Sequence, residues 1–562
     1  MKAKQKRVLL IGLDGATFDL ILPWAAAGYL PNLSRLITEG YRSSLVSTLQ
    51  PVSAPAWVTF MTGVNQAKHG LFDFVQRRTG DYGLEVTNAS NIHAPTLYDI
   101  ASQQGRRVIT VNVPFTSPPR PVNGVVVGGP FAPALTRDMV YPSSYFDIIE
   151  SIAPDYFILP DYDSSATDPL SDYASKLLKG ITLRERVTLY LLENEPWDLF
   201  QVVFMASDEA QHTYWKFQQD TQSGYDYVIR YVYQRIDQAI GKILKQVAND
   251  GRDRATAVIV MSDHGGGPLH RMVNLNRWLS DVGYLSFQAP SVADPWTRVK
   301  GRLLETVAHA YRRYVPARVR LVLRRKLGIE RFDRLKGNLE SALLASSINW
   351  KQTRSYSQGS GGNIFINLKG REPEGIVEPG AEYEQLCQEI AERLMRLVDP
   401  ETGKPVVARV HHREELYKGP FLEQAPDLII EWRDYSYWGR GRYDSQSPIF
   451  ETQERFDMSD QPLSGAHRME GILLAHGEGI RSSTEGEAAQ LVDLAPTLLG
   501  LLDLPIPRYM DGTALSALLD ASIVDGLEFS EDSLEVPSLD KFTFSSNEEA
   551  QIEQHLKNLG YL

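Results

Sequence analysis

Acidic and histidine residues stand at the ends of apolar segments of this sequence, where they could bind a metal ion. In the stretch SDHGGG (262–267), Asp263 and His264 follow an apolar run, and three glycines come next. Glycine lets the backbone turn sharply and lets another group approach closely. The other residues of this kind are Asp14, Asp208, His212 and His467. Three carboxylates and three imidazoles at one sheet edge would repel one another or lose solvation, so the pattern indicates a pair of divalent ions.

Each of these residues also has a structural interpretation. An aspartate that follows a strand often caps the next helix, which applies to Asp14 and Asp208. SDHGGG alone is also typical of a polar turn, and a single histidine such as His467 is more often a hydrogen-bonded structural group. Position favours the metal hypothesis, because three of only 11 histidines lie at such strand ends. Asp208 and His212 are also one helical turn apart and can share a face.

A serine with the features of a nucleophile lies in the segment LQPVSAPAWVTFMTGVNQAKHG (49–70). Pro55 fits the first position of a helix, and Gly63 fits its C-terminal stop. Ser53 then lies at the helix N-terminus, where free N–H groups and the helix dipole favour phosphate and a serine alkoxide. The alternative is that Ser53 is only an N-cap. Thr59 and Thr62 are rival hydroxyls, but they fall within the helix.

The elements that must position these residues are short, β-branched apolar runs alternating with helical patterns. Runs of this length are typical of strands buried on both faces, as in a parallel sheet. Alternation with helices predicts an α/β fold, with a doubly wound, mostly parallel sheet flanked by helices. Ligands of such sheets sit outside the carboxyl ends of the strands. The runs are Val8–Leu13, Val108–Val113, Leu199–Met205, Ala257–Met261, Leu428–Trp432 and Gly471–Ala475.

Composition excludes several classes of protein. The 562 residues carry a net charge of -12, which gives no global attraction to nucleic acid, and we expect no nucleic-acid partner. The one cysteine, Cys387, excludes a disulfide framework within the chain and a thiolate metal cluster. The start, MKAKQKRVLLIGLDG, has too few apolar residues for a signal peptide, and no run approaches the length of a membrane span. We therefore expect a soluble, cytoplasmic protein.

The chain divides into four parts by pattern. We expect a first core part at 1–285, a basic helical insertion at 286–345, a second core part at 346–522, and an acidic linker with a short helix at 523–562. Between 298 and 336 the insertion has thirteen Lys and Arg against three acids. It fits a solvated helix pair packed on the core, a lid over an anionic substrate, or a patch that makes peripheral contact with anionic membrane.

These motifs together resemble the type I phosphodiesterase/nucleotide pyrophosphatase family of the alkaline phosphatase superfamily. The resemblance runs from VLLIGLDG through LPNLSRLITEG (30–40), SAPAWVTFMTG, KHG, SDHGGG and GAHRMEG to the segment QLVDLAPTLLGLLDLPIPRYMDGTAL at 490–515. It is weakest in the basic insertion and in the closing part of the chain. The order and spacing of the motifs are more specific than any one of them. The resemblance implies an alkaline phosphatase-like core and a hydrolase of phosphodiester or pyrophosphate bonds.

The resemblance also implies roles for the residues at the matching positions. One metal ion would be held by Asp14, Ser53, Asp263 and His264, and the other by Asp208, His212 and His467. The ions would be two zinc ions, with manganese as the alternative. Ser53 would attack phosphorus and form a phospho-serine intermediate. The substrate would be a small phosphate ester with a nucleotide-like, sugar or lipid head group.

Two departures from the family pattern keep alternatives open, and a third residue argues against a sulfatase. Ser53 stands where many diesterases of the family have threonine. Asp73 and Phe74 lie near the position where diesterases often carry an asparagine, and an acid there would repel a phosphate dianion unless it is paired. Trp57 replaces the arginine expected of a sulfatase. The alternatives are a phosphomonoesterase, a phosphoryl or head-group transferase, and a membrane-docking protein with little catalysis.

Overall fold

The structure is a computed structural model that describes most of the chain. The described ranges are 6–78, 80–130, 134–249, 256–288, 347–443, 446–452, 462–482, 485–531, 536, 539 and 542–561. The predicted basic insertion at 286–345 lies outside these ranges except for its first three residues, and so does the predicted membrane-contact segment 298–336. No helix in the described part of the chain combines the length and the apolar character needed to cross a membrane.

The strands of the described ranges form one large sheet and several small ones. In chain order they are β1 Arg7–Leu13, β2 Tyr41–Val46, β3 Val75–Arg77, β4 Leu84–Val86, β5 Val108–Val113, β6 Gly124–Gly128, β7 Val140–Tyr141, β8 Leu199–Phe204, β9 Thr256–Met261, β10 Gly265–Pro268, β11 Arg271–Asn274, β12 Ser355–Ser357, β13 Ser360–Gly361, β14 Asn363–Ile366, β15 Val407–His412, β16 Leu428–Trp432, β17 Tyr437–Arg440, β18 Phe450–Glu451, β19 Gly465–Arg468, β20 Glu470–Gly477, β21 Ala489–Gln490, β22 Ile506–Pro507 and β23 Phe529–Ser530.

Helices connect these strands and cover the large sheet. The α-helices of the described ranges are α1 Phe18–Ala26, α2 Pro31–Glu39, α3 Ser53–Thr62, α4 Gln66–His69, α5 Leu97–Gln103, α6 Tyr145–Ile152, α7 Pro169–Asn194, α8 Ala206–Tyr214, α9 Val228–Ala248, α10 Leu275–Asp281, α11 Ala381–Leu394, α12 Arg413–Leu416, α13 Leu494–Leu501, α14 Ala521–Val524 and α15 Ser546–Asn558.

The large sheet has nine strands in the described ranges, in the order β21-β2-β20-β9-β1-β8-β5-β6-β7. The five strands from β9 to β6 run parallel, while β20 and β7 run opposite to their neighbours. In register, Gly12 of β1 pairs with Met261 of β9, and Leu13 pairs with Phe204 of β8. The carboxyl ends of these three strands are therefore level, and the residues that follow them meet at one edge.

Helices pack on both faces of this sheet. Val8 and Leu10 of β1 join one apolar cluster with α3, α5 and α13. Leu9 and Ile11 join a second cluster on the other face with α2, α7 and α9. Because successive side chains of a strand point to opposite faces, a strand covered on both sides has a continuous apolar sequence. The predicted doubly wound α/β fold is confirmed.

Two of the six apolar runs do not form parallel strands of the large sheet. Leu428–Trp432 is β16, which lies between β14 and β15 in a separate antiparallel sheet. The run 471–475 is part of β20, which is antiparallel to both of its neighbours in the large sheet. An apolar run indicates that both faces of a strand are covered, but it does not indicate the direction of the strand relative to its neighbours. In β16, Leu428 and Ile430 pack in a third cluster with α11, while Ile429 packs in another cluster.

Candidate active site

The carboxyl ends of three neighbouring strands bring the predicted acids together. Asp14 follows β1, Asp263 follows β9, and Asp208 lies in the first turn of α8, directly after β8. All three are buried. His212 follows Asp208 by one turn of α8, and its Nε2 lies 3.2 Å from Asp208 Oδ2. The one-face arrangement expected for Asp208 and His212 is therefore present.

Gly15 allows the acids that follow β1 and β8 to lie close to each other. Its φ of +63° lies in the left-handed region, and a Cβ built there would lie 2.5 Å from Asp208 Oδ1. Its backbone N–H donates to Asp263 Oδ1 at 3.3 Å. Any side chain at this position would push Asp208 away from the strand edge, so the pair Asp14-Gly15 is needed as a unit.

The glycines of SDHGGG have a different role from the turn that the sequence suggests. They form β10, which pairs with β19 so that Gly266 lies opposite His467. A Cβ built on Gly265 would lie 2.1 Å from the carbonyl oxygen of Glu470, so only glycine allows this approach. The ladder stacks the rings of His264 and His467 with centroids 3.6 Å apart. His467 thus reaches the site from a part of the chain about 200 residues away.

Each of the three histidines directs a nitrogen lone pair into the site. The Nδ1 atoms of His264 and His212 lie 2.9 and 3.2 Å from the carbonyl oxygens of Gly265 and Gly465, and His467 Nδ1 bonds the carbonyl of Pro51. A carbonyl only accepts hydrogen bonds, so each Nδ1 carries the hydrogen and each Nε2 presents its lone pair. This is the arrangement in which backbone groups orient histidine metal ligands.

The inward-facing atoms fit a cation. The Nε2 atoms of His212 and His467 lie 2.9 Å apart, where two lone pairs repel unless a proton or a metal ion lies between them. Asp14 Oδ1 is buried and has no hydrogen-bond donor among the described residues. Possible metal ligands form two groups, and within each group the ligand atoms lie within 4.8 Å of one another. One group is Asp14, Asp263 and His264, and the other is Asp208, His264 and His467. Oxygen and nitrogen donors in this mixture suit zinc or manganese.

Burial makes the charges of this cluster costly. Burial raises the pKa of Asp14 well above its usual range, and repulsion from Asp263 and Asp208 adds to the increase. Burial, with repulsion from Asp208, raises the pKa of Asp263 to about 8. Burial also acts to raise the pKa of Asp208, but His212 and His467 together hold it below its ordinary value. Burial lowers the pKa of His467 well below its usual range. Such crowded buried carboxyls beside an imidazole that resists protonation are typical of a site that binds cations.

Ser53 lies beside this cluster, at the first residue of α3. The helix begins at Ser53 itself and not at Pro55 as the sequence suggested, with Val52 as its N-cap. Ser53 Oγ makes no capping bond and lies 3.0 Å from His264 Nε2. Gly63 ends the helix at φ +66°, as predicted.

The two rival hydroxyls of α3 are engaged elsewhere. Thr59 Oγ1 lies 3.1 Å from His69 Nε2, and Thr62 Oγ1 donates to the carbonyl of Val58 at 2.6 Å. The structure therefore brings together all seven predicted site residues and keeps Thr59 and Thr62 out of the cluster.

Several residues that contact the site were not predicted from the sequence. Trp57 Nε1 donates to Asp14 Oδ2 at 2.9 Å, and Gln211 Nε2 donates to the carbonyl of Gly15 at 2.8 Å. Tyr561 brings its hydroxyl to 2.8 Å from His467 Nε2. The position of Trp57 one turn after Ser53 could have suggested the first contact. No local signal marks Tyr561, because its approach depends on how α15 docks.

Asp73 is hydrogen-bonded, and two of its three donors come from Ser360 in the smaller lobe, which comprises 271–288, 347–443 and 446–452. Its two oxygens accept hydrogen bonds from Ser360 N at 2.6 Å, Ser360 Oγ at 2.8 Å and Phe74 N at 2.7 Å. Burial nevertheless raises the pKa of Asp73 to about 6. This acid therefore joins the β3 region to the smaller lobe.

The fold and the cluster define an α/β protein with a buried serine, three acids and three histidines at the carboxyl edge of its sheet. The sequence model of the type I phosphodiesterase/nucleotide pyrophosphatase family matches residues 8–456, and the chain belongs to this family. Membership places it among hydrolases of phosphoric ester bonds. No curated protein matches the sequence significantly.

Solved structures of two kinds are similar to this chain. Human ectonucleotide pyrophosphatase/phosphodiesterase 5 has 13% identity and a TM-score of 0.44, with 93% of this chain and 99% of that chain covered. An inactive variant of the murine protein in complex with AMP has 13% identity, a TM-score of 0.45 and the same coverage. Phosphonoacetate hydrolase from Sinorhizobium meliloti 1021, in complex with phosphonoformate, has 15% identity and a TM-score of 0.49, with 88% and 94% covered.

Proposed function

We propose that this protein hydrolyses a phosphodiester or pyrophosphate bond of a small molecule through a phospho-serine intermediate on Ser53. The observation that carries the proposal is the position of Ser53 Oγ, 3.0 Å from His264 Nε2 and at the N-terminus of α3. A hydroxyl in this place lies next to buried acids and histidines and faces the positive end of a helix dipole. Both features favour an alkoxide and a phosphoryl group.

The proposal assigns the seven residues to two divalent cations, zinc or manganese. Asp14, Ser53, Asp263 and His264 would hold one, and Asp208, His212 and His467 would hold the other. When bound, such ions lower the pKa of a hydroxyl and neutralise phosphoryl oxygens. The backbone carbonyls behind the three histidines orient the imidazoles for this purpose.

The reaction then takes two displacements at phosphorus. Ser53 Oγ attacks, a bond from Oγ to phosphorus forms, and the bond from phosphorus to the leaving oxygen breaks. The leaving group departs as an alcohol or a phosphate and takes up a proton. Water then attacks phosphorus from the side that the leaving group vacated, opposite Ser53 Oγ, and gives up a proton as the bond from phosphorus to Oγ breaks, which releases the phosphorylated product and restores the Ser53 hydroxyl. The first-turn N–H groups of α3 point toward the phosphoryl oxygens in both steps.

Charge balance supports a diester over a monoester. Two divalent cations would carry four positive charges, which three carboxylates and a serine alkoxide neutralise. A diester then adds one negative charge, whereas a monoester dianion adds two. Among the described residues, the ion pairs of Asp14, Asp208 and Asp263 are all with histidine, so no lysine or arginine offsets the second charge there.

A cavity of about 440 Å³ near Asp73 offers space for the rest of the substrate. It lies between the β3–β4 hairpin and the smaller lobe, and its lining includes Phe72, Phe365, Arg77 and Arg371. Aromatic and guanidinium groups together suit a flat or polar head group. We place the part of the substrate beyond the phosphoryl group on this side of the site.

The first test compares bis(p-nitrophenyl) phosphate with p-nitrophenyl phosphate after loading with zinc or manganese. We expect a kcat/KM ratio well above one in favour of the diester. Ser53→Ala should reduce turnover by roughly 10³-fold or more, because it removes the nucleophile. The matched control is Thr62→Val, which removes a buried hydroxyl at the far end of the same helix. Full activity in Ser53→Ala, or turnover that needs an added alcohol acceptor, would contradict the proposal.

A further inference from the structure

The closing segment, residues 542–561, ends inside the candidate active site. Its helix α15 buries Ile552, Leu556 and Leu559 in the same apolar cluster as α3. Gly560 then adopts φ +84°, and the N–H of Tyr561 donates back to the carbonyl of Leu556 at 2.9 Å. This left-handed turn at the helix C-terminus redirects the chain. As a result the side chain of Tyr561 turns away from α15 and toward the metal-ligand cluster.

The Tyr561 hydroxyl contacts one proposed ligand of the site and lies near the proposed nucleophile. It lies 2.8 Å from His467 Nε2. Burial raises the pKa of Tyr561 well above its usual range, and the nearby Ser53 hydroxyl acts in the opposite direction. The residue is only 3% exposed. One buried oxygen therefore lies beside both the proposed nucleophile and a proposed ligand of the second cation. A phosphoryl group bonded to Ser53 must place one of its oxygens in the same small region.

The partner of His467 Nδ1 determines whether the Tyr561 hydroxyl donates or accepts when no cation is bound. His467 Nδ1 carries the hydrogen, because it bonds the carbonyl of Pro51. His467 Nε2 is then an acceptor, and Tyr561 donates to it. A cation at His467 would occupy the same nitrogen lone pair. The Tyr561 hydroxyl would then lose this acceptor and shift off the lone-pair direction, and its hydrogen would be available to another acceptor in the site.

We propose that Tyr561 is a substrate-binding residue whose hydroxyl donates a hydrogen bond to a non-bridging oxygen of the bound phosphoryl group. This inference rests on the proposed function, since it needs a phosphoryl group at Ser53. Tyr561 stays outside the metal-ligand set. Its contribution is a neutral donor aimed at the oxygen that gains negative charge during the displacement.

The surroundings of Tyr561 hold this donor in a defined position. The carbonyl oxygen of Tyr561 accepts from Ser360 Oγ at 3.2 Å, and Ser360 is in turn bound to Asp73. Its ring packs against Phe74, with centroids 4.6 Å apart, and lies 6.3 Å from the ring of Trp438. Backbone and ring are thus supported by residues of both lobes. Such support is what a positioned donor requires, because a loosely held hydroxyl contributes little to binding.

The test is the binding of inorganic phosphate to the zinc-loaded full chain, measured by isothermal titration calorimetry. Tyr561→Phe keeps the ring and removes only the hydroxyl. We expect its Kd for phosphate to rise about 10-fold or more, as for a lost hydrogen bond to a charged group. The kcat/KM for bis(p-nitrophenyl) phosphate should fall by a similar factor. Zinc affinity, measured by competition with a chelator, should not fall, because the variant removes no proposed metal ligand.

A matched control and a second variant make it possible for the test to overturn the inference. Tyr284→Phe removes a hydroxyl that faces Glu389 at 3.4 Å in the smaller lobe, and it should leave phosphate binding unchanged. Tyr561→Ala should bind phosphate at least as weakly as Tyr561→Phe. Unchanged or tighter phosphate binding in Tyr561→Phe overturns the inference. Tighter binding in Tyr561→Ala also overturns it, because the side chain would then block the site.

Failure of the proposed function gives a different result. A zinc-loaded wild type that binds phosphate but hydrolyses neither ester contradicts the proposed hydrolysis, while the phosphate titrations still decide the role of Tyr561. A wild type that binds zinc but no phosphate overturns the inference about Tyr561 itself. The two proposals are thus judged by separate measurements.

Discussion

At the scale of single residues, the backbone partners of the histidines determine which ring nitrogen of each histidine faces the site. Three Nδ1–H groups are tied to carbonyls, so three Nε2 lone pairs converge near three carboxyls. Without a cation, the acids lower their charge by holding protons, and burial with neighbouring acids raises the pKa of Asp263 to about 8. Protons and metal ions therefore compete for the same atoms.

This competition predicts that zinc stabilises the protein more at pH 8 than at pH 6. Asp263 binds a proton more tightly in the folded apo protein than in the unfolded chain. Below pH 8 zinc must displace that proton, which costs about 1.4 kcal/mol for each pH unit below the pKa. The measurement is the rise in Tm on adding zinc at each pH. Asp263→Asn is the comparison and should show a small rise at both pH values. An equal or larger rise at pH 6 in the wild type would contradict the assignment.

At the scale of elements, the pairing of β10 with β19 positions two of the three histidines. Gly265 lets β10 approach the backbone of β20, and Gly266 leaves room for the Gln211 side chain of α8. The stacked His264 and His467 rings follow from the pairing of β10 with β19. These two glycines of SDHGGG thus help to set the geometry of the candidate ligand cluster.

Gly265→Ala should therefore damage the site through the backbone. Its Cβ would lie 2.1 Å from the Glu470 carbonyl oxygen, so β10 must move and His264 must move with it. We expect a loss of stability of about 1–3 kcal/mol, as for overpacking in a core, and a loss of zinc affinity of at least about 10-fold. Chemical denaturation and chelator competition measure the two effects. Gly526→Ala, where the nearest atom is 3.3 Å away, is the control. Unchanged zinc affinity in Gly265→Ala would show that the ladder does not set the ligand positions.

At the scale of the whole molecule, the smaller lobe and the closing segment complete a site that begins on the large sheet. Asp73 bonds Ser360 of the smaller lobe, and Ser360 bonds the carbonyl of Tyr561. A buried carboxyl thus stands where three parts of the chain meet. Burial raises the pKa of Asp73 to about 6, so the folded protein holds its proton more tightly than the unfolded chain does.

The sign of this shift predicts a pH effect on stability. Between about pH 4 and 6 the folded state binds more protons at Asp73 than the unfolded state, so the free energy of unfolding falls as pH rises through this window. The shift corresponds to about 3 kcal/mol. In urea unfolding, the difference between wild type and Asp73→Asn should decrease by about that amount from pH 4 to pH 7. Asp525→Asn changes an exposed carboxyl and should show no such trend. A difference that does not vary with pH would mean that Asp73 is not costly to ionise.

The sequence by itself was enough to predict the α/β class and the identity of the clustered acids. Parallel strands end at a common edge, so the residues after Leu13, Met261 and the run at 199–205 were expected to meet, and they do. Ser53 was likewise expected at a helix N-terminus, although α3 begins at Ser53 and not at Pro55. These inferences succeed because turn residues, helix ends and two-sided burial each leave a local trace in the sequence.

Only the tertiary structure decided the features that join distant parts of the chain. It set the antiparallel directions of β16 and β20, the ladder that delivers His467, and the approach of Tyr561 to His467 across 94 positions. Strand direction and contacts between distant side chains depend on which segments pack together. A local sequence pattern indicates that a segment is buried, but it does not indicate which other segment covers it. The identity of the site acids was therefore readable from local sequence, whereas its glycine ladder and its tyrosine depended on long-range packing.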